Sequence, residues 1–402
     1  MLQRYRARWL FPIDRPPIAG GVLTVRDGFI VEIADHADEP VTDLGDVAIL
    51  PALINAHTHL EFSDLAEPLG TAREPLPTWI RRVVAHRRSQ PADEPRQLRS
   101  REQAHAAGLS ESAAAGVAAV GEIATPGWPE PPYREAAIGG VVFLELLGLA
   151  EERLEPLLQL AREHLQRHPS QAAECPPQPA WPRWLPGLSP HAPYTVHPRL
   201  LAEACQLAAA RQVPVAMHLA ESREELELLA TGRGAMRELL ESLGAWRDQV
   251  IPAGTRIIDY LRPLATTPRS LVIHGNYLTD DERQFIAEQQ GRMTVVYCPR
   301  THAYFGHEPY PLAKLLAAGV PTALGTDSRA SNPDLDLWNE VLEVIRRHPQ
   351  VAPAEILRMA TLNAATALGL ASELGSLTPG KRFVTTMKQC SASDDPYDAL
   401  LG

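Results

Sequence analysis

From residue 47 onward, short apolar runs alternate with longer stretches in which apolar residues recur every three or four positions. Eight such runs stand out: 47–54 (VAILPALI), 117–124 (VAAVGEIA), 140–148 (GVVFLELLG), 184–191 (WLPGLSPH), 214–219, 270–275, 293–299 and 322–327. Near-continuous apolar runs suit strands covered on both faces, as in a parallel sheet. The intervening segments, such as 97–115 (QLRSREQAHAAGLSESAAA) and 198–212 (PRLLAEACQLAAARQ), carry the period of amphipathic helices. Strand then helix, repeated in this way, predicts an α/β fold, a (β/α)8 TIM-type barrel. A doubly wound open sheet is the competing architecture, but neither Gly-Xaa-Gly-Xaa-Xaa-Gly nor a phosphate loop follows the first strand.

Residues 20–34 (GGVLTVRDGFIVEIA) read as a β-hairpin turning at Asp27-Gly28, a dipeptide suited to positive φ. A hairpin cannot stand alone, so residues 1–49 are assigned to a small appended β domain, 50–370 to the barrel, and 371–402 to a short return to that appendage. The tail after GSLTPGK (375–381) lacks a clear strand, which leaves the appendage incomplete. Segments 62–96 and 125–139, rich in Pro and Arg, are expected as loops over the barrel mouth, and 176–186 as a linker into the fourth strand.

Composition narrows the partners. The chain has 402 residues, 45% hydrophobic and 22% charged, with a formal net charge of −11, so no basic patch argues for nucleic acid or an acidic membrane surface. A small-molecule substrate is expected. The four cysteines, Cys175, Cys205, Cys298 and Cys390, lie far apart, which argues against a disulfide framework or thiolate cluster and points to a cytoplasmic setting. The first residues show no apolar stretch long enough for a signal peptide or membrane span. A homo-oligomer is compatible with the sequence, though no residue pattern establishes one.

Barrel enzymes draw their catalytic groups from the carboxyl ends of several strands. Those ends carry His57 and His59 on the first strand, His191 on the fourth, His218 and Glu221 on the fifth, His274 on the sixth and Asp327 on the eighth. Each has an ordinary reading alone: a hydrogen-bonded histidine, a turn-capping Asp327, or a first-turn helix acid at Glu221. Their convergence on one barrel face favours a site. His57, His59, His218 and Asp327 form a nitrogen and oxygen donor set suited to one divalent ion, with Zn²⁺ favoured over Fe²⁺. Such an ion lowers the pKa of bound water towards about 7. Glu221, three residues after His218, can carry that water's proton, and His274 can orient the water.

Further residues are assigned to substrate contacts. Arg300 and Arg329 can grip a carboxylate, Trp79 and Phe62 can stack on a heteroaromatic ring, and His302 and His307 stand where a different pocket could be lined.

Several runs carry a family resemblance: LPALINAHTHLEFS (50–63), LPTWI around Trp79, SPHAPYT (189–195), His218-Leu219-Ala220-Glu221, ESREELELLATGRGAM and CPRTH. Together they resemble the amidohydrolase superfamily, and within it the mononuclear aminohydrolases, especially the aminofutalosine and S-adenosylhomocysteine deaminases. The resemblance implies a hydrolytic deaminase of a purine-nucleoside-like substrate, with His191 contacting that substrate. Binuclear members carry a carboxylated lysine after strand four, whereas the lysines here are Lys314, Lys381 and Lys388, which implies one metal. His302 departs from the family pattern, standing where Asn is usual. Two alternatives remain: hydrolysis of another C–N or C–Cl bond, or a catalytically silent paralogue acting as a binding or assembly module.

Overall fold

The computed structural model describes residues 1–36, 40–89, 94–167 and 181–402. Cys175 and the first part of the expected linker, 176–180, lie outside the described residues. Eight strands form one parallel sheet in sequence order: β1 (Leu53–Thr58), β2 (Val117–Ala124), β3 (Gly139–Leu146), β4 (Trp184–Pro190), β5 (Val215–Leu219), β6 (Ser270–His274), β7 (Met293–Tyr297) and β8 (Thr322–Leu324). Helices connect successive strands, which makes the sheet the expected TIM-type barrel.

The continuous hydrophobicity of the strands has a direct packing cause. Neighbouring residues along a strand enter different core clusters: Ile54, Ala119, Phe143, Ala216, Leu271 and Val296 in one, and Leu53, Val120, Val142, Val215, Val272 and Val295 in another. The second cluster takes in Leu157, Leu201 and Leu261 from the outer helices. Each strand is therefore apolar on both faces.

Closure is local. Between β8 and β1 the parallel bridge pairs Thr58 with Asp327, and the Asp327 N–H donates to the His57 carbonyl at 3.0 Å. Gly325 permits the approach, since a Cβ there would lie 2.8 Å from the His57 Cβ. Gly121 does the same between β2 and β1, where a Cβ would lie 2.4 Å from the Ala56 carbonyl oxygen.

The structure corrects three readings of the chain. The run 47–54 is two strands in two sheets: Val47–Pro51 pairs antiparallel with Thr385–Gln389, and β1 starts at Leu53. The switch falls at Ala52, whose N–H donates to Val384 O while the Leu53 N–H donates to Gly116 O. Both strands are buried throughout, so hydrophobicity alone does not reveal the break. Second, segment 62–96 contains a helix, Leu76–Ser89, and segment 125–139 contains the short helix Pro131–Glu135. Leu76, Trp79, Ile80 and Val83 put an apolar stripe on the first of these despite its arginines. Third, the tail does form a strand, Thr385–Gln389, and Arg382 also bridges to Phe29.

Two small sheets flank the barrel. One comprises Leu2–Arg6, Val22–Arg26, Phe29–Ala34 and Thr42–Asp43; the other comprises Trp9–Leu10, Ile18–Ala19, Val47–Pro51 and Thr385–Gln389. The hairpin turns at Asp27 and Gly28, with φ of 52° and 82°, as the dipeptide predicts. Among the described residues no helix is long and apolar enough to cross a membrane.

Candidate active site

The carboxyl ends of the strands bring His57, His59, His218, His274, Glu221 and Asp327 together, and all six are buried. The Nε2 atoms of His59 and His218 face each other at 3.2 Å. Asp327 Oδ1 lies 3.6 Å from His57 Nε2 and 3.8 Å from His59 Nε2. Ligand atoms held at zinc–nitrogen distances in a tetrahedron stand about 3.3 Å apart. Two overlapping sets of donor atoms lie within 4.8 Å of one another, His57 with His59 and His218, and His57 with His274 and Asp327, and either could hold a metal ion.

The chemistry of the donors fits as well. Burial, reinforced by the neighbouring imidazoles, holds His59 and His218 well below the usual histidine range, in the neutral form that ligates metals. His57 buries both ring nitrogens without a hydrogen-bond partner among the described residues, a cost that a bound cation would remove. Burial alone would raise the Asp327 carboxyl, but its interaction with the His57 imidazole 3.6 Å away, together with His59 and His274, holds it below the usual range. The His218 Nδ1 stands 3.1 Å from the His191 carbonyl, a contact that turns Nε2 towards the cluster.

The backbone here is held in uncommon conformations. Ala220, His274 and Asp327 have φ of 54°, 69° and 62°, in the left-handed region that residues with a Cβ rarely enter. Surrounding hydrogen bonds hold them there. The Glu225 carboxylate accepts from the N–H groups of Ala220 and Glu221 at 3.1 and 2.7 Å. Asn276 Nδ2 donates to the Glu221 carbonyl, and the Tyr310 hydroxyl donates to the His274 carbonyl.

Glu221 projects beside His274, with Oε1 3.4 Å from Nε2. Burial and then the Asp327 charge raise its carboxyl well above the ordinary range, while burial pushes His274 down to about 3. His191, also lowered to about 3 by burial, contacts the Thr195 hydroxyl through Nδ1 at 2.7 Å.

These side chains open on one pocket. His59, His191, His218, Glu221, His274 and Asp327 line its polar end; Phe62, Leu76, Trp79, Ile80, Val83, Leu239, Leu240 and Leu243 form its apolar wall. Apart from Phe62 and Leu243, the apolar wall comes from the helices Leu76–Ser89 and Ala235–Ser242. Trp79 spends its indole N–H on the Ala330 carbonyl at 3.1 Å, leaving its ring as wall.

Four residues assigned to substrate contacts, Arg300, His302, His307 and Arg329, do not line this pocket. Arg300 is engaged by Asp334, Asn332 and the fully buried Glu340. Arg329 pairs with Glu111 at 2.9 Å and donates to Leu65 O. His302 is buried against Tyr297, Tyr310 and His307, and His307 contacts the Tyr277 hydroxyl, so neither histidine lies free on a surface loop. The arginines have partners 32 to 264 residues away, invisible to local reading.

Other residues of the site escaped the sequence reading. Glu122 accepts from the Thr58 hydroxyl at 2.6 Å and the Leu60 N–H at 3.0 Å, clamping the residues on either side of His59. Glu145, at the end of β3, lines the pocket beside His191. A carboxylate inside each of the apolar runs VAAVGEIA and FLELLG was the available signal. Glu225 is the fourth residue of Ser-Xaa-Xaa-Glu starting at Ser222, a capping-box pattern.

Comparison with known proteins agrees with this architecture. The model of the amidohydrolase family matches residues 48–388. A 5-methylthioadenosine/S-adenosylhomocysteine deaminase of Moorella thermoacetica is 29% identical over 393 residues, covering 93% of this chain and 82% of that protein. An aminodeoxyfutalosine deaminase of Deinococcus radiodurans is 29% identical over 366 residues, covering 85% and 79% respectively. The crystal structure of Helicobacter pylori aminofutalosine deaminase with methylthio-coformycin superposes with a TM-score of 0.81 at 23% identity, covering 99% of this chain and 95% of that one. The barrel, its histidine-rich carboxyl end and the length of the match lead to one assignment: the chain belongs to the amidohydrolase family and is a hydrolase acting on carbon–nitrogen bonds.

Proposed function

We propose that this chain is a metal-dependent hydrolytic deaminase of a heteroaromatic amine on a purine-nucleoside-like substrate, of the aminofutalosine or methylthioadenosine type. The observation that carries the reading is the meeting of Glu221 with two overlapping donor triads, His57, His59 and His218, and His57, His274 and Asp327, at the polar end of an apolar-walled pocket. His57, His59, His218 and Asp327 would hold one divalent ion, and their nitrogen-rich donor set favours Zn²⁺ over Fe²⁺. Bound there, the ion supplies Lewis acidity and water made acidic enough to lose a proton near neutral pH.

The remaining steps belong to the side chains. Glu221, whose carboxyl burial makes a weak acid, takes the proton from water and delivers it to a ring nitrogen. Once the water oxygen has bonded to the amine-bearing carbon, Glu221 takes the remaining hydroxyl proton of the adduct and passes it to the amine, whose C–N bond breaks to release ammonia and leave the carbonyl. His274, next to Glu221, orients the water, and His191 holds the ring edge through Nε2. Phe62 and Trp79 cover the ring and exclude solvent. The names of the M. thermoacetica and D. radiodurans relatives support a nucleoside-like substrate.

Ammonia release across adenosine, 5′-methylthioadenosine, S-adenosylhomocysteine, aminofutalosine, guanine and cytosine tests the reaction. The nucleosides should be turned over and the free bases should not. Glu221→Gln should keep its metal and lose about 10²- to 10⁴-fold in kcat. Near-normal activity of that variant would remove Glu221 from the role.

A further inference from the structure

Beyond the metal cluster and Glu221, the pocket holds a buried acid with no assigned task. Glu145 is 1% exposed, lines the pocket, and its Oε2 has no hydrogen-bond partner among the described residues. Its nearest charged neighbours stand beyond hydrogen-bond reach: His191 Nε2 is 3.9 Å from Oε1, and Arg87 Nη2 is 3.9 Å from Oε2. Arg87 already donates through Nη2 to Glu61 at 2.5 Å. One guanidinium thus faces two carboxylates, and Glu145, a residue of the pocket lining, is left with an unused acceptor at Oε2. Burying such a group without a donor is costly, and a protein tolerates it where a ligand supplies the donor.

The position of Glu145 limits what that ligand group can be. The His218 and His191 rings are 4.9 Å apart, so the series runs from the metal cluster through His191 to Glu145. A ring whose amine lies at the cluster and whose edge lies at His191 would direct its next substituent to Glu145. The excess negative charge of Glu61 and Glu145 over Arg87 disfavours a phosphate or carboxylate in that place. Hydroxyl groups fit, because a carboxylate can accept from both O–H groups of a vicinal diol.

Resting on the nucleoside reading above, we infer that Glu145 is a specificity-determining residue that accepts hydrogen bonds from the vicinal hydroxyls of the substrate's sugar. Arg87, 3.9 Å away, is a positioning residue that acts on Glu145 through its charge alone.

Equilibrium titration of adenosine and of 2′,3′-dideoxyadenosine onto the metal-loaded Glu221→Gln protein reads this contact without turnover. Adenosine should bind about 10- to 100-fold more tightly than the dideoxy compound, the range for hydrogen bonds to a charged group. Adding Glu145→Gln, which keeps the side-chain volume, or Glu145→Ala should bring the two affinities within about twofold while the dideoxy affinity stays unchanged; misfolding would instead weaken both ligands. Equal affinities in the parent protein, a preference that survives both Glu145 substitutions, or failure of both nucleosides to bind would each overturn the inference. The ammonia panel judges the underlying reading separately. Ammonia release with equal affinities sinks the Glu145 contact alone, and discrimination without any ammonia release sinks the deaminase reading alone.

Discussion

The backbone N–H of Asp327 donates to the carbonyl of His57 at 3.0 Å, and the Asp327 carboxylate reaches to within 3.6 Å of the His57 imidazole. The same two residues thus close the barrel through their main chains and face the histidine cluster through their side chains. Fold and site are joined at that seam. The carboxylate comes from the last strand end and the first histidines from the first, 270 positions apart (327 − 57).

Gly325 is the weak point of the seam. An added Cβ would meet the His57 Cβ at 2.8 Å and its backbone at 3.1 Å, neither of which can swing aside. Gly325→Ala should destabilise the fold by about 1–3 kcal/mol and lower metal affinity together. Thermal unfolding and metal titration of the purified variant check this; an unchanged Tm with unchanged affinity would show that the seam is slack.

Arg300 should behave as a structural residue. Its guanidinium compensates Glu340, which is fully buried, so Arg300→Met leaves a buried acid without its cation. A loss of about 3 kcal/mol in urea unfolding is expected, with KM ratios among substrates unchanged. A selective rise in KM for a carboxylate-bearing substrate, without destabilisation, would restore the substrate-binding role first read from the sequence.

These two cases mark what local sequence could reveal. Strands and their ends were legible because burial on both faces writes a continuous apolar run, and His57, His59, His191, His218, His274 and Asp327 interrupt or terminate such runs. The paired arginines were not, because Asp334, Glu340 and Glu111 meet them only after folding. Glu122 and Glu145 were visible as acids in apolar strands, yet the groups they face, Thr58, Leu60 and His191, come from other strand ends. The break at Ala52 left no trace at all, since residues on both sides are buried.

Acid should destabilise the protein through His105, away from the metal cluster. Burial, and then the Arg101 charge, push this imidazole down to about 3, and its Nδ1 contacts the Tyr133 hydroxyl at 2.6 Å. A histidine lowered by folding contributes stability that is full above the unfolded value of roughly 6.5 and is lost as pH falls towards the folded one. Between about pH 7.5 and 5 the loss should be about 2 kcal/mol. His105→Phe should flatten that part of the urea-unfolding profile, while a slope equal to the parent's would place the titration elsewhere.

Metal stoichiometry tests the central claim most directly. Elemental analysis of the full chain, purified after expression with excess Zn²⁺ and dialysed free of loose metal, should give one equivalent per chain. His218→Ala and Asp327→Ala should each fall well below that while remaining folded. Two equivalents, none, or one equivalent that survives both substitutions would contradict a single ion held by His57, His59, His218 and Asp327.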